Sequence, residues 1–182
     1  MMGLLAAFGL AAATGLNAYL PLLIVGLLAR YTQLIVLKSP WSALSHPAVL
    51  VLLAVLLAIE FTVDKIPAVD TVNDVIQTVF RPAAGAILFA ASGNVISDLS
   101  PVLAMICGLL IAGGVHTAKS VARPAVTAGT MGTANPVVSL AEDVVSGTTT
   151  FIAIVAPAVL VVLALLAVFW VLRWRRKKRM RR

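Results

Sequence analysis

The sequence predicts an all-α, polytopic membrane protein, and three observations support this prediction. Of the 182 residues, 61% are hydrophobic and 12% are charged, whereas a soluble domain is about 25% charged. The mean hydropathy is +1.05. Several uncharged stretches approach the roughly 20 residues that a helix needs to cross the hydrocarbon core of a bilayer. This composition excludes a soluble globular enzyme. It also excludes a disordered chain, which requires low hydrophobicity.

Five apolar segments are candidate spans, and we expect about five transmembrane helices. The first, residues 3–28, is uncharged but is interrupted by Gly15, Asn17 and Pro21, so it is either one kinked helix or two half-helices. A signal peptide is disfavoured there because no basic residue precedes Arg30. The other candidate spans are residues 46–63, 82–97, 101–118 and 151–172.

Positive charge is concentrated at the C-terminus. Eight of the fourteen Lys and Arg residues lie in the last ten residues, although the whole chain has a formal charge of +7. We therefore predict a transmembrane domain over residues 1–172 and a basic tail over 173–182. Basic residues beside a span mark the cytoplasmic side, so we expect the C-terminus of this membrane protein to lie in the cytoplasm. The basic tail is also expected to bind anionic lipid headgroups.

Charged residues inside spans are the second informative feature, because each costs about 2.5–3.5 kcal/mol on insertion scales and usually faces a bundle interior or a cavity. Glu60 and Asp64 are four residues apart on one helical face, with Lys65 beside them and Pro67 ending or kinking the helix. Residues 70–81 predict a short amphipathic helix that lies in the interface or folds into a polar cavity. Its polar side carries Asp70, Asp74, Gln77 and Arg81, with Asn73 beside them.

Two further segments carry polar residues at helical spacing. His116, Lys119 and Arg123 share one face at the end of the fourth span, which Pro124 is expected to close. Beyond it, Asn135 is a candidate N-cap, followed on one face by Ser139, Glu142 and Ser146, with Asp143 beside the stripe. The intervening residues 127–133, rich in Gly and Thr, predict a re-entrant loop.

These motifs resemble a known family. The run from Gly15 to Pro21 is similar to the N-terminal signature of a bacterial integral-membrane family called domain of unknown function family 4126. The same family is matched by the block from Glu60 to Pro82, by His116 and Lys119, and by the residues from Asn135 to Asp143. The resemblance covers nearly the whole chain, and it implies a fold and a set of residues without implying an activity.

Three functions remain open from the sequence. A transporter or channel for a small cation, a proton or a polar solute would use the polar residues around an intramembrane cavity. The sequence does not specify a metal for this cavity. A membrane scaffold or accessory subunit would use faces of small residues to pack helices within the chain or between copies. A homo-oligomer is the assembly that would enclose a pore, because five short spans enclose little volume. An enzyme would pair His116 with Glu142 or Asp143, but no nucleophile or metal cluster accompanies them.

We therefore favour the transporter, with the scaffold as the alternative and with no enzyme activity expected. The predicted binding residues are Asn17, Glu60, Asp64, Lys65, Asp70, Asp74, Gln77, Arg81, His116, Lys119, Arg123, Asn135, Ser139, Glu142 and Asp143. No cofactor is expected, and because the basic residues form a tail and not a surface stripe, no nucleic-acid partner is expected either. The expected surroundings are the lipid bilayer.

Overall fold

The fold is all-helical. A computed structural model describes residues 3–63, 67–92 and 100–179, without the side chains of residues 67–72, 74 and 175–179. The helices in the described ranges are α1 (Leu4–Thr14), α2 (Tyr19–Tyr31), α3 (Pro47–Val63), α4 (Pro67–Ser92), α5 (Pro101–Thr130), α6 (Asn135–Val155) and α7 (Pro157–Arg179), and a short 3₁₀ helix (Trp41–Ser45) precedes α3. The predicted class, an all-α polytopic membrane protein, is confirmed.

Four of the described helices are long and apolar enough to cross a membrane: α4 through its segment Val75–Ser92, all of α5 and α6, and α7 through Pro157–Trp174. The other three, α1, α2 and α3, are apolar but shorter. The N-terminal run is therefore two half-helices, which resolves the alternative that the sequence left open. The predicted spans at residues 46–63 and 101–118 correspond to α3 and to the first part of α5.

Several predicted boundaries were wrong, and proline explains most of them. Residues 151–172 do not form one helix, because α6 ends at Val155, Ala156 leaves the helical conformation (φ −145°, ψ 62°) and α7 begins at Pro157; a residue before proline avoids the helical region. Conversely, α4 continues through Pro82 and α5 through Pro124. Residues 70–81 are therefore the first part of a long helix and not a separate amphipathic one. Neighbouring helices and local adjustments let membrane helices retain such prolines.

The predicted re-entrant loop at residues 127–133 was also wrong. Its first four residues belong to α5, and a short turn through Met131 and Gly132, both at positive φ (52° and 81°), leads into α6. Glycine adopts this left-handed conformation without a steric cost. The N-cap of α6 is Ala134, and Asn135 is its first helical residue, so the predicted N-cap was misplaced by one position.

The amphipathic part of α4 has its polar side turned inward. Asn73, Gln77 and Arg81 are buried, whereas the apolar side chains on the other faces are exposed: Val75, Ile76, Val79 and Phe80. A surface helix of a soluble protein shows the opposite arrangement, with its apolar face toward the core and its polar face toward water. This orientation fits a helix whose outer surface meets lipid and whose interior contains polar side chains.

The short helix α1 lies at the centre of the bundle. It contacts α4, α5, α6 and α7, and most of its residues are small and buried, including Ala6, Ala7, Gly9 and Ala11. Small residues allow neighbouring helix backbones to approach closely, which is how helices gain packing energy in lipid. The C-terminal end of α1 consequently reaches the interior of the molecule.

The backbones of α4 and α5 approach each other closely at Gly85 and Gly108. A Cβ atom on Gly108 would come within 2.6 Å of the Phe89 Cβ, and nearer still to the carbonyl oxygen of Gly85. The two backbones therefore touch at a point where no side chain fits. On the same helix, a Cβ on Gly114 would meet no described atom within 4 Å.

We predict that Gly108→Ala destabilises the protein by about 1–3 kcal/mol, because the added methyl group overpacks the contact between α4 and α5. Gly114→Ala is the matched control. It should be neutral or stabilising, because alanine has a higher helix propensity than glycine by up to about 1 kcal/mol. Thermal or denaturant unfolding of the purified protein in detergent micelles measures both. Equal stability of the two variants would contradict the close approach.

Candidate functional site

The break between α1 and α2 is built around Asn17, which is fully buried. Its Oδ1 accepts hydrogen bonds from the backbone N–H groups of Tyr19 (3.1 Å) and Leu20 (2.8 Å), and so caps the start of α2. Its Nδ2 donates to Asp143 Oδ1 in α6 over 2.9 Å. The one amide group thus satisfies a helix end and holds a buried carboxylate.

The carbonyl groups at the end of α1 receive donors from two other helices. Ser146 in α6 donates to the carbonyl oxygen of Ala13 over 2.9 Å, and the Lys119 ammonium in α5 lies 3.4 Å from the carbonyl oxygen of Leu16. A helix C-terminus carries partial negative charge, so a cation is the appropriate neighbour. Gly15 allows α5 to pack closely against the end of α1, because a Cβ atom on residue 15 would lie 2.6 Å from the carbonyl oxygen of Ala112 in α5.

Arg81 is the centre of a second group of contacts. Its guanidinium, 0% exposed, donates from Nη2 to Glu60 Oε1 in α3 over 3.1 Å. Its Nη1 lies 3.0 Å from His116 Nδ1 in α5, and His116 Nε2 lies 3.1 Å from Thr78 Oγ1 in α4. A buried ion pair with hydrogen bonds on both sides therefore links α3, α4 and α5.

A third group connects α5 with α6. Glu142 Oε2 lies 2.9 Å from Lys119 Nζ and 3.5 Å from Arg123 Nη2. Near the turn that joins α5 to α6, the Thr127 hydroxyl donates to Asn135 Oδ1 over 3.1 Å. Lys119 thus contacts both the end of α1 and a carboxylate of α6, and it joins the α1–α2 break to the ion pairs of α5.

These groups form one region, which we call the polar core: the buried side chains of Asn17, Glu60, Gln77, Arg81, His116, Lys119, Arg123, Asn135, Ser139 and Asp143, with the partly buried Glu142. The region lies near the middle of the long helices. Arg81 is residue 15 of the 26 in α4, His116 is residue 16 of the 30 in α5, and Asp143 is residue 9 of the 21 in α6. Its charges are therefore not confined to helix ends.

Electrostatic balance explains how this region is tolerated. Among the described residues, the carboxylates of Glu60, Glu142 and Asp143 are matched in number by the cations of Arg81, Lys119 and Arg123. Burying a single charge without a partner costs far more than burying a hydrogen-bonded pair. Each of these six charged groups contacts an opposite charge or a hydrogen-bonding partner.

Most of the predicted site residues meet in the polar core, although their grouping differs from the sequence pattern. The buried stripe of α6 runs through Asn135, Ser139 and Asp143, with Glu142 at its edge and Ser146 and Thr150 continuing it. Asp64 and Lys65 lie outside the described residues. Asp70 and Asp74 lie in α4, but their side chains are outside the described part of the chain.

Sequence reasoning missed two members of the site. Thr78 contacts His116, and the buried Tyr19 interacts with the side chain of Gln77. Tyr19 lies inside the family signature from Gly15 to Pro21, which was a signal available in the sequence. Thr78 lies one turn before Arg81, but a threonine in an apolar helix carries no distinguishing pattern.

Two surface pockets in the described part of the chain have linings that include no residue of the polar core. One, of about 460 Å³, is lined by the outer face of α3 from Val55 to Val63. Another, of about 390 Å³, is lined by residues between Ala29 and Ser45. In the polar core, the contacts reported above are made directly between protein groups.

Together, the fold and the polar core define a polytopic α-helical membrane protein with a broken N-terminal helix and buried ion pairs. Within that class, a family model described as a domain of unknown function (DUF4126) matches residues 4–177. The chain belongs to this family, as the resemblance in the sequence indicated. No curated protein and no solved structure matches it.

We predict that Arg81→Met destabilises the protein by about 3–5 kcal/mol, because it leaves the Glu60 carboxylate buried without its cation. Replacing both partners, with Glu60→Leu added, should recover part of that loss, since an apolar pair needs no compensation. Arg173→Met is the control: Arg173 is exposed and its replacement should change stability by less than about 0.5 kcal/mol. Denaturant unfolding in micelles measures all three, and equal losses for Arg81→Met and Arg173→Met would refute the ion pair.

Proposed function

We propose that this chain is a small transporter or channel that moves a small cation, a proton or a polar solute across the membrane through its polar core. The observation that carries the proposal is the position of the α1–α2 break, which lies among buried charged residues in the middle of α4, α5 and α6. Ionisable residues inside a membrane bundle usually mark ion or solute pathways. Discontinuous helices are a common way to expose backbone groups to a substrate at the bilayer midplane.

The chemistry of the region supports a substrate that hydrogen-bonds or carries positive charge. Gln77 Oε1 is buried and has no hydrogen-bond partner among the described residues, and leaving such a group unsatisfied costs about 1–3 kcal/mol. Together with the carboxylates of Glu60 and Asp143, it supplies hard oxygen atoms of the kind that bind protons and hard cations. In this structure Arg81 pairs with Glu60, and Lys119 pairs with the neighbouring Glu142, so passage of a cation past these carboxylates would require the pairs to open.

We further propose that the protein resides in a bacterial plasma membrane with its C-terminus in the cytoplasm and is not an enzyme. The basic tail supports this orientation and would bind anionic headgroups at the same surface. A green fluorescent protein fused to the C-terminus should fluoresce in cells, because that protein folds on the cytoplasmic side, whereas a C-terminal alkaline phosphatase fusion should be inactive. The reverse pattern would contradict the orientation.

We predict that proteoliposomes containing the purified protein conduct protons or a small cation above the level of empty liposomes. Glu60→Gln should lower that flux by about tenfold or more, which corresponds to about 1.4 kcal/mol on the barrier, because it removes the charge that faces Arg81. Lys38→Gln is the matched control, since Lys38 is exposed outside the polar core. Internal dyes for pH and for each cation report the flux.

The folded state of each variant is checked by size-exclusion chromatography, and Glu142→Gln serves as a second test if Glu60→Gln does not fold. Equal flux in wild type, Glu60→Gln and Glu142→Gln would remove these acids from the mechanism. No flux above empty liposomes would contradict the transporter itself.

A second candidate, a scaffold or accessory subunit, is favoured by one observation. Residues 161–174 of α7 are all exposed, including the large side chains of Leu165, Phe169 and Trp170. Such a helix is available to lipid, to a second copy of the chain or to another membrane protein. An absence of flux together with a stable foreign partner in native mass spectrometry would favour this function over transport.

A further inference from the structure

The contacts of α1 define its direction along α4. Phe8, in the first half of α1, packs edge-on against Phe89, with 5.3 Å between the ring centroids. Thr14, the last residue of α1, lies further back along α4, because a Cβ atom on Gly85 would be 3.0 Å from Thr14 Oγ1. α1 therefore runs antiparallel to α4, and it starts at the end of the bundle where α4 ends.

The contacts with α6 give the same direction and show how far α1 reaches. A Cβ atom on Gly9 would be 2.9 Å from the Ala153 Cβ, near the end of α6. Asn17, in the joint between α1 and α2, contacts Asp143 over 2.9 Å, and Asp143 is residue 9 of the 21 in α6. The chain thus passes from the end of α6 to its middle between residues 9 and 17.

Helix α2 then returns toward the end of the bundle from which α1 came. It begins beside the middle of α4, with 6.3 Å between the ring centroids of Tyr19 and Phe80. Further along α2, a Cβ atom on Gly26 would lie 2.6 Å from the carbonyl oxygen of Leu44. Leu44 belongs to the 3₁₀ helix Trp41–Ser45, so the second half of α2 lies beside this short helix.

The position of the 3₁₀ helix is given by Trp41. Its partly buried side chain packs against the buried cluster that contains Ala7, Phe89 and Ala104. Ala7 lies in the first half of α1, Phe89 near the end of α4 and Ala104 in the first turn of α5. The segment that follows α2 therefore lies at the same end of the bundle as the beginning of α1.

We infer that residues 4–31 form a re-entrant helical hairpin: α1 enters the bilayer and α2 leaves it on the same face, and the joint between them lies near the middle of the membrane. The 11 residues of α1 and the 13 of α2 extend about 17 and 20 Å, whereas the hydrocarbon core is about 30 Å thick. Residue 3 and the segment 32–46 therefore share one face. The turn between α5 and α6 lies on the other face, because α5 starts beside Trp41 and continues for 30 residues.

The hydrogen bonds at the joint are those that a hairpin tip inside a membrane requires, because lipid cannot satisfy backbone groups. Asn17 accepts from the N–H group of Leu20, and Ser146 donates to the carbonyl oxygen of Ala13. The inference rests on packing and applies whether or not the chain transports a solute. In a transporter, it would bring the negative end of α1 and the positive end of α2 to the polar core.

Cysteine labelling of the full chain in cells tests the inference. Cys107, the one cysteine of the sequence, is replaced by alanine, and single cysteines are introduced by Gly3→Cys, Gln33→Cys and Met131→Cys. A Cβ atom on Gly3 would meet no described atom within 4 Å, and Gln33 and Met131 are exposed. A membrane-impermeant maleimide is applied to intact cells and to inverted membrane vesicles. It should label Gly3→Cys and Gln33→Cys in the same preparation and Met131→Cys in the other.

Two labelling results would overturn the inference. Labelling of Gly3→Cys and Gln33→Cys from opposite faces would mean that residues 4–31 cross the membrane once, and labelling of all three variants from one face would contradict the crossing by α5. Lys38→Cys and Thr133→Cys, which are also at exposed positions, replace a variant that does not insert. Because the inference does not depend on which face is cytoplasmic, its failure is distinguishable from a failure of the proposed orientation of the tail.

A disulfide tests the depth of the joint in the same cysteine-free background. Leu20→Cys combined with Gly147→Cys should cross-link on mild oxidation of the membranes, because a Cβ atom on Gly147 would lie 3.3 Å from Leu20 Cδ2. Gly147 is residue 13 of the 21 in α6. Leu20→Cys combined with Val155→Cys is the matched control, and it should not cross-link, because residue 155 lies about 12 Å further along the helix and a disulfide needs Cα atoms within about 7 Å. Absence of the first cross-link would place the joint away from the middle of α6 and would contradict the hairpin.

Discussion

Burial of the Arg81 guanidinium is the constraint on which much of the interior depends. The group is 0% exposed and it cannot lose its charge, so the surrounding helices must supply acceptors at fixed positions. Glu60 supplies a carboxylate from α3, and His116 supplies a lone pair from α5. A shift of any of these helices by one residue would leave the charge without a partner. These polar contacts therefore constrain the register of α3, α4 and α5, together with the close contact of Gly85 and Gly108 between α4 and α5.

The interrupted N-terminal helix imposes a second constraint of the same kind. A helix that stops inside a bundle leaves carbonyl and N–H groups that water cannot reach. Asn17 satisfies the start of α2, while Ser146 and Lys119 bond to the end of α1. The same residues link α1 to α5 and α6. The break and the ion pairs thus support each other, and removal of either would expose polar groups of the other.

The sequence located the residues of the polar core better than it located the helices. Glu60, Arg81 and His116 were predicted as site residues because charge is rare in apolar segments, and any such charge needs a partner. The boundaries failed where proline was used as a stop signal: Pro82 and Pro124 lie inside helices, whereas Pro157 separates two. Whether a proline interrupts a helix depends on neighbouring helices that can accommodate the missing hydrogen bond, and that information is not local.

Composition alone determined the class of this protein. Its residues are 61% hydrophobic and 12% charged, and a chain of this length could not bury that much apolar surface away from water. Helical spacing further determined that polar residues would gather on single faces. The tertiary structure decided which faces meet. It turned the polar side of α4 inward, placed the α1–α2 break beside Lys119, and paired Arg81 with His116 across 35 positions of sequence. Periodicity describes one helix at a time, whereas partner choice depends on the packing of separate helices against one another.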